Sequence, residues 1–175
     1  MVGIMRVRGL GWSPAIFLLG ATVLGACGGP EEPAIPCGEP HDPLLELAGT
    51  NGGFGELMDG GEVIVGDGIQ SGGSFVSLKL RAKGLDPESP AFHVEMWATT
   101  PEGVELAHTP YDRQLLCSNA GPSEGYLVSP GLHVRLPNGA AEDFVGIEAI
   151  FRVEVTDHED ATATAQVRAT MVLEK

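Results

Sequence analysis

Apolar and polar residues alternate along several stretches of residues 44–175, and a repeat of two residues is typical of a β-strand with one buried face. No window shows the longer repeat of an amphipathic helix. In two central segments the residues predicted to face the core are Val76, Leu78, Leu80 and Ala82, then Phe92, Val94, Met96 and Ala98. A third predicted row is Leu132, Val134 and Leu136.

The C-terminal third has the clearest pattern. One predicted inward row is Val145, Ile147, Ala149, Phe151, Val153 and Val155, and the next is Ala163, Ala165, Val167, Ala169, Met171 and Leu173. The acidic segment 157–160 between them has the polar composition of a turn, so the two rows predict a β-hairpin. Shorter strands are predicted at 62–65, 104–108, 115–117 and 125–128.

These strands predict an all-β domain. Roughly seven to nine strands in about 130 residues indicate an antiparallel two-sheet sandwich, because each strand has one apolar and one polar face. The hairpin, with Val-Thr-Asp before its turn and Thr-Ala-Thr-Ala after it, resembles the last two strands of bacterial immunoglobulin-like domains. The cysteines depart from the antibody pattern, since neither Cys37 nor Cys117 lies in this last strand pair. A jelly roll is the alternative topology.

The N-terminus has the parts of an export signal. Arg6 and Arg8 precede a short apolar run at 15–24, and small residues follow it. The sequence Leu-Gly-Ala-Cys at 24–27 resembles the lipobox of bacterial lipoproteins. That resemblance implies cleavage before Cys27 and attachment of lipid to Cys27, which becomes the new N-terminus.

Two other readings of the leader remain, a soluble secreted protein and an uncleaved anchor. A membrane-spanning helix needs roughly 20 apolar residues, and this run is shorter. Gly28 follows the cysteine where enteric lipoproteins retained at the inner membrane carry Asp, so the resemblance implies an outer-membrane lipoprotein of the bacterial cell envelope. The chain then divides into a signal peptide (1–26), a lipidated tether (27–43) and a β-sandwich domain (44–175).

The predicted tether is rich in proline. Five prolines in the sixteen residues 28–43 disfavour both helix and central strand. Such a segment prefers an extended polyproline II conformation and reaches up to about 50 Å at ~3.1 Å per residue. We expect it to hold the domain away from the membrane.

The net charge of the chain limits the kinds of partner that it can bind. The leader contains two of the 10 basic residues and none of the 24 acidic ones, so the net charge after cleavage is 8 − 24 = −16. Nucleic acid and anionic lipid surfaces are therefore disfavoured as partners, since both need a basic surface.

With Cys27 lipidated, Cys37 and Cys117 form an even pair in an oxidising compartment, and we predict a disulfide between them. Two free thiols or a metal site are the alternatives.

Several outward-facing side chains are candidates for ligand binding. His93, Glu95 and Trp97 share the polar face of one predicted strand, and His133 lies on the polar face of another. If those strands are neighbours, the two histidines could form a metal site or a proton-active pair. The basic row of Lys79, Arg81 and Lys83 is expected to pair with Glu95 across the sheet, and a binding stripe is the alternative.

Three weaker possibilities involve other residues. The turn carboxylates Asp157, Glu159 and Asp160 are oxygen ligands of the kind Ca²⁺ takes, with Asp59, Glu62 and Asp67 as further candidates. Glycans could stack on Trp97, Tyr111 and Tyr126. The segment 121–125 fits G-x-S-x-G around Ser123, with Asp143 and His158 following, but a nucleophile needs a strand–turn–helix setting that this all-β pattern lacks.

The sequence thus predicts a non-enzymatic, lipid-anchored envelope protein. Its β-domain is expected to act as an interaction or structural module for another envelope protein, without a required cofactor. A glycan- or Ca²⁺-dependent surface-binding module is the alternative, and a serine hydrolase is the remote one.

Overall fold

A computed structural model of the chain describes residues 37, 41–49, 54–55, 57–68, 73–119 and 121–174. The predicted signal peptide, Cys27 and most of the predicted tether lie outside these residues. Among the described residues, no helix has both the length and the apolar composition needed to cross a bilayer. The first strand begins at Leu44, where the sequence pattern places the start of the folded domain.

Nine strands make up the described fold, which has no α-helix. They are β1 (Leu44–Gly49), β2 (Gly61–Asp67), β3 (Ser74–Lys83), β4 (Phe92–Thr99), β5 (Glu105–Arg113), β6 (Leu116–Cys117), β7 (Leu127–Arg135), β8 (Glu148–Thr156) and β9 (Thr162–Leu173). Short 3₁₀ turns occur at Gly121–Ser123 and Ala141–Phe144. The prediction of an all-β domain is confirmed.

All nine strands belong to one hydrogen-bonded sheet. Its order is β5-β4-β8-β9-β2-β3-β7-β6, and β1 pairs separately with β3. The β2–β9 pairing is parallel, with Gly61 opposite Ala169, whereas the other pairings are antiparallel. The sheet is therefore mixed, and the prediction of a purely antiparallel arrangement is wrong at this pairing. β2 forms an antiparallel hairpin with β3 along one edge and runs parallel to β9 along the other.

The sheet curls so that its two ends approach each other. β5 is the first strand in the order and β7 the last but one. Even so, the Tyr111 hydroxyl on β5 donates to the carbonyl of His133 on β7. The backbone N–H of Arg135 on β7 donates to Oγ1 of Thr109 on β5 at 3.1 Å. These bonds close a half-barrel around the core.

The core fills the inside of this curl. The predicted inward rows on β3 and β4 are fully buried, as are Ala149, Phe151, Val153 and Val155 on β8. Strand β9 contributes Ala163, Val167, Ala169 and Met171. Of the other two residues in its predicted inward row, Ala165 is partly buried and Leu173 is exposed, so the prediction is wrong at Leu173. Because every second residue points inward, the residues between them are left on the outer surface of the sheet.

Two predicted strand boundaries are wrong. The strand predicted to begin at Val145 begins at Glu148, since Ala141–Phe144 forms a 3₁₀ turn and Gly146 has φ +80°. Val145 is consequently exposed. Segments 125–128 and 132–136 are predicted as separate strands, but residues 127–135 form the single strand β7, whose pairing with β3 shifts register between Leu78 and Leu80.

The predicted disulfide is confirmed. Cys37 and Cys117 are bonded, with Cα atoms 5.8 Å apart and 80 positions between them in sequence. Cys37 is buried, and Cys117 belongs to β6 at the end of the strand order. The bond therefore ties the segment preceding β1 to an edge of the sheet.

Candidate functional site

The polar side of β4 carries three of the predicted ligand-binding residues, His93, Glu95 and Trp97. They face outward because the alternating residues of the same strand are buried in the core. On β5, Asp112 lies opposite His93 and His108 lies opposite Trp97. The pairing of β4 with β5 thus adds an acidic residue and a second histidine to this surface.

Four of these side chains form a continuous chain of contacts, here termed the histidine–carboxylate ladder (Asp112, His93, Glu95 and His108). Nδ1 of His93 lies 3.0 Å from Oδ1 of Asp112, and Nε2 of His93 lies 3.1 Å from Oε1 of Glu95. Nε2 of His108 lies 2.7 Å from the other oxygen of Glu95. Since a carboxylate only accepts, His93 makes both bonds at once only as the doubly protonated imidazolium.

The ladder shifts the acidity of two of its members. Hydrogen bonds to Asp112 and then to Glu95 raise the pKa of His93 above its usual value. Hydrogen bonds from His93 and then His108 lower the pKa of Glu95. Each partner stabilises the charged form of the other, so the ladder favours a cationic His93 beside an anionic Glu95. Both side chains are open to solvent, which screens the interaction.

Trp97 is flanked on both sides by neighbouring strands. The imidazole of His108 on β5 stacks on it with ring centroids 5.0 Å apart. The guanidinium carbon of Arg152 on β8 lies 5.0 Å from the indole centroid. Arg152 also donates to Glu154 at 3.0 Å. Because β5 and β8 lie on opposite sides of β4, the two faces of the indole are both covered.

His133 does not join this group. It lies on β7, where Nδ1 is 2.8 Å from Oγ of Ser77 and the ring meets Phe75 edge-on at 4.8 Å. Burial and then the nearby charges of Arg113 and Arg135 lower its pKa. Strands β4 and β7 are not neighbours in the sheet. The condition under which His93 and His133 could form one site, that their strands are neighbours, is therefore not met.

The predicted basic row also has other partners. Arg81 forms an ion pair with Glu46 on β1, not with Glu95. Arg81 and Lys83 both lie over the ring of Tyr126, at 4.5 and 4.2 Å from its centroid. The expected pairing with Glu95 is wrong because the strands paired with this part of β3 are β1 on one edge and β7 on the other, and not β4.

The aromatic residues considered for glycan stacking are engaged within the protein. Both faces of Trp97 are covered, and the Tyr126 ring carries two cations. Tyr111 uses its hydroxyl to join β5 to β7. A sugar ring stacking on Trp97 would have to displace His108 or Arg152.

The acidic turn between β8 and β9 uses one of its carboxylates internally. Asp157 is buried, and its two oxygens accept backbone N–H groups of Asp86, Glu159 and Ala161 at 2.8 to 2.9 Å. Asp160 adopts φ +66 at the end of the turn. Of the three Ca²⁺ candidates, Glu159 lies close to His158 and Asp86.

The remaining candidates have structural roles. Asp59 and Asp67 accept backbone N–H groups from Arg168 and Ala141, at 2.9 and 2.8 Å. Ser123 ends a 3₁₀ turn, and its carbonyl accepts the N–H of Tyr126 at 3.0 Å.

The two possible partners of Ser123 lie in separate turns. Asp143 accepts the N–H of Ala140 at 3.0 Å, and Nδ1 of His158 lies 3.4 Å from Asp86.

Sequence reasoning missed His108, Asp112 and Arg152. His108 is the last residue of a predicted strand, and Asp112 lies beyond that strand, after Pro110. β5 is an edge strand, so the missing N–H of Pro110 is tolerated there. The strand therefore continues to Arg113.

No protein-family profile matches the chain, and no curated protein sequence matches it. A similar solved structure is the soluble domain of PmoD from Methylocystis sp. ATCC 49242 (Rockwell). It is 13% identical, with a TM-score of 0.30, and the match covers 74% of this chain and 90% of that chain. A likeness at this level supports no inference about function.

Proposed function

We propose that this protein is a lipid-anchored, non-enzymatic protein of the bacterial cell envelope that binds another envelope protein. The docking surface is the outer face of β5, β4 and β8, defined by the histidine–carboxylate ladder together with Trp97 and Arg152. The observation that carries the proposal is this concentration of interacting side chains on one exposed sheet face. Tryptophan and arginine are the residue types that most often dominate binding energy at protein interfaces.

The N-terminal sequence supports the location. The leader and the lipobox-like 24–27 provide an address and an anchor, and the proline-rich 28–43 provides reach. Two or more lipid chains on Cys27 attach a protein durably to the membrane, whereas a single lipid chain binds the membrane reversibly. Metabolic labelling with palmitate is expected to mark the wild-type protein and to leave the Cys27→Ser variant unlabelled.

Charge favours a basic partner surface. The whole chain has a net charge of −14, and the docking face itself contains the carboxylates of Glu95, Asp112 and Glu154. Complementary charge speeds association and selects against acidic partners. We therefore expect the complex to weaken as salt is raised.

We also propose that the curled sheet is an immunoglobulin-like sandwich whose first strand is split between its two halves. One half contains β1-β3-β7-β6 and the other β5-β4-β8-β9, while β2 pairs with a strand of each. Immunoglobulin domains order their sheets A-B-E-D and C-F-G, with C′ added in the variable type. The same order follows here if β1 and β2 are the two parts of strand A.

Site-specific photo-crosslinking in the intact envelope tests the docking surface. A crosslinking amino acid at Gln166, which lies opposite Arg152 in the register of β8 and β9, is expected to capture one defined protein. The same group at Arg135, on the exposed side of β7, is the matched control and should capture much less. Trp97→Ala should reduce the Gln166 crosslink. Equal capture from Gln166 and Arg135 would count against this face.

A further inference from the structure

A second cluster of potential ligands lies at the end of the sheet, apart from the ladder. One ring nitrogen of His158 and one carboxylate oxygen each of Asp86 and Glu159 lie within 4.8 Å of one another. Nδ1 of His158 is 3.4 Å from Oδ2 of Asp86. Ligand atoms around a tetrahedral zinc ion with bonds of about 2.0–2.1 Å stand roughly 3.3 Å apart. Small side-chain movements would bring all three atoms to one ion.

The residues of this cluster come from two loops that a buried carboxylate locks together. Asp157 accepts the N–H of Asp86 at 2.8 Å through one oxygen and the N–H of Glu159 at 2.9 Å through the other. Oγ of Ser89, in the same loop as Asp86, accepts the N–H of His158 at 3.2 Å. The backbone of every potential ligand is thus held by a hydrogen bond across or within the loop pair.

The side chain of Asp86 is oriented as well. Its Oδ1 accepts the N–H of Glu88 at 2.9 Å, which leaves Oδ2 directed toward His158. Such bonds fix a ligand before the ion arrives and raise affinity. Asp86 is partly buried, while His158 and Glu159 are exposed, so an ion reaches the cluster from solvent.

We propose that Asp86, His158 and Glu159 form a binding site for a divalent transition-metal ion of the zinc type. One imidazole and two carboxylates suit Zn²⁺, whereas Ca²⁺ takes six to eight oxygen ligands and does not select for imidazole. Two carboxylates balance the charge of the ion. Three protein ligands leave a fourth position open to water or to a group from a partner. The bound ion joins the β8–β9 turn to the loop before β4.

Calorimetric titration of the detergent-solubilised full chain, stripped with chelator and held near pH 7.5, tests the site. An imidazole binds a metal ion through a deprotonated ring nitrogen. We expect one Zn²⁺ per chain and a rise in the thermal midpoint when Zn²⁺ binds. Asp86→Asn and His158→Ala should each weaken Zn²⁺ by about tenfold or more. A parallel Ca²⁺ titration should give no heat at concentrations where Zn²⁺ saturates.

His93→Gln is the matched control, since it removes a ladder histidine and leaves the loop cluster intact; Zn²⁺ affinity should not change. NMR signals of the imidazoles in the wild-type chain test the same site without any variant. Misfolding of a variant therefore cannot affect this result. His158 should shift with added Zn²⁺, and His93 should not. Absence of heat up to millimolar Zn²⁺, or loss of binding in His93→Gln but not in His158→Ala, overturns the proposal. Neither result bears on the crosslinking experiment.

Discussion

The indole of Trp97 and the imidazole of His108 lie parallel, with an angle of 1° between the rings and 5.0 Å between their centroids. The two residues are directly opposite each other on β4 and β5. His108 also forms a hydrogen bond with Glu95. It is therefore both the last member of the ladder and the stacking partner of Trp97. This contact links the aromatic part of the proposed docking face to its titratable part.

Loss of the stacked imidazole should therefore uncover one face of Trp97. Trp97 is the single tryptophan outside the predicted signal peptide, which contains Trp12. We expect His108→Ala to increase quenching of Trp97 fluorescence by acrylamide. The unfolding free energy should fall by about 0.5–1.5 kcal/mol, the usual size of an aromatic pair. His41→Ala, which alters a histidine before β1, should change neither quantity.

The stability contributed by His93 should depend on pH. Its pKa is raised from 6.5 in the folded protein, so its contribution is complete below pH 6.5 and is lost as pH rises through the higher folded value. Glu95 has a lowered pKa, so its contribution is present above 4.5 and is lost as pH falls through the folded value. The ladder is strongest between these limits.

Urea unfolding of wild type and His93→Gln checks this window. The difference in unfolding free energy should be larger near pH 5.5 than near pH 9. NMR titration should place the His93 pKa above 6.5. A difference that grows with rising pH would contradict the ladder.

Removal of the disulfide should destabilise the domain. A bridge across 80 residues contributes roughly 4 kcal/mol in the chain-entropy model, because it restricts the unfolded chain. We expect the paired variant Cys37→Ser/Cys117→Ser to lose up to that amount in chemical denaturation. Reductant should lower the stability of wild type by a similar amount and leave the paired variant unchanged.

Gly84 should be intolerant of any side chain. It has φ +72, and a Cβ there would lie 2.3 Å from the carbonyl oxygen of His41. Gly103 has a similar φ of +85 but open space around it. Gly103→Ala should cost about 1–2 kcal/mol from backbone strain alone. Gly84→Ala should cost clearly more, since the 41–42 segment must also move. Equal losses in thermal unfolding would mean that this close approach is absent in solution.

The alternation of apolar residues was enough to predict the β-rich class and the inward rows of β3, β4, β8 and β9. It failed at Val145, where a 3₁₀ turn and the positive φ of Gly146 delay the strand, at Leu173, which is exposed, and across 125–136, where two predicted strands are one. Local sequence reports whether a residue faces inward, because that depends on a repeat of two. It does not report whether a strand can continue through a proline, as β5 does through Pro110, because that depends on whether the strand lies at an edge of the sheet.

The candidate binding surface was likewise predictable along one strand but not between strands. His93, Glu95 and Trp97 could be recognised as one outward row because they alternate along a single strand. His108 and Arg152 could not be assigned to them, nor His133 separated from them, because strand neighbours are a property of the whole sheet.

By itself, the sequence determined the inward rows of β3 and β4 and most of those of β8 and β9, which pair of cysteines can bond, and which end of the chain carries an export-like leader. Only the tertiary structure decided that β2 runs parallel to β9, that Asp157 joins two distant loops, and that two histidines meet on Glu95. The reason is physical. Burial follows from the solvation of each side chain along a strand, whereas these contacts join residues far apart in sequence and form only when the chain closes on itself.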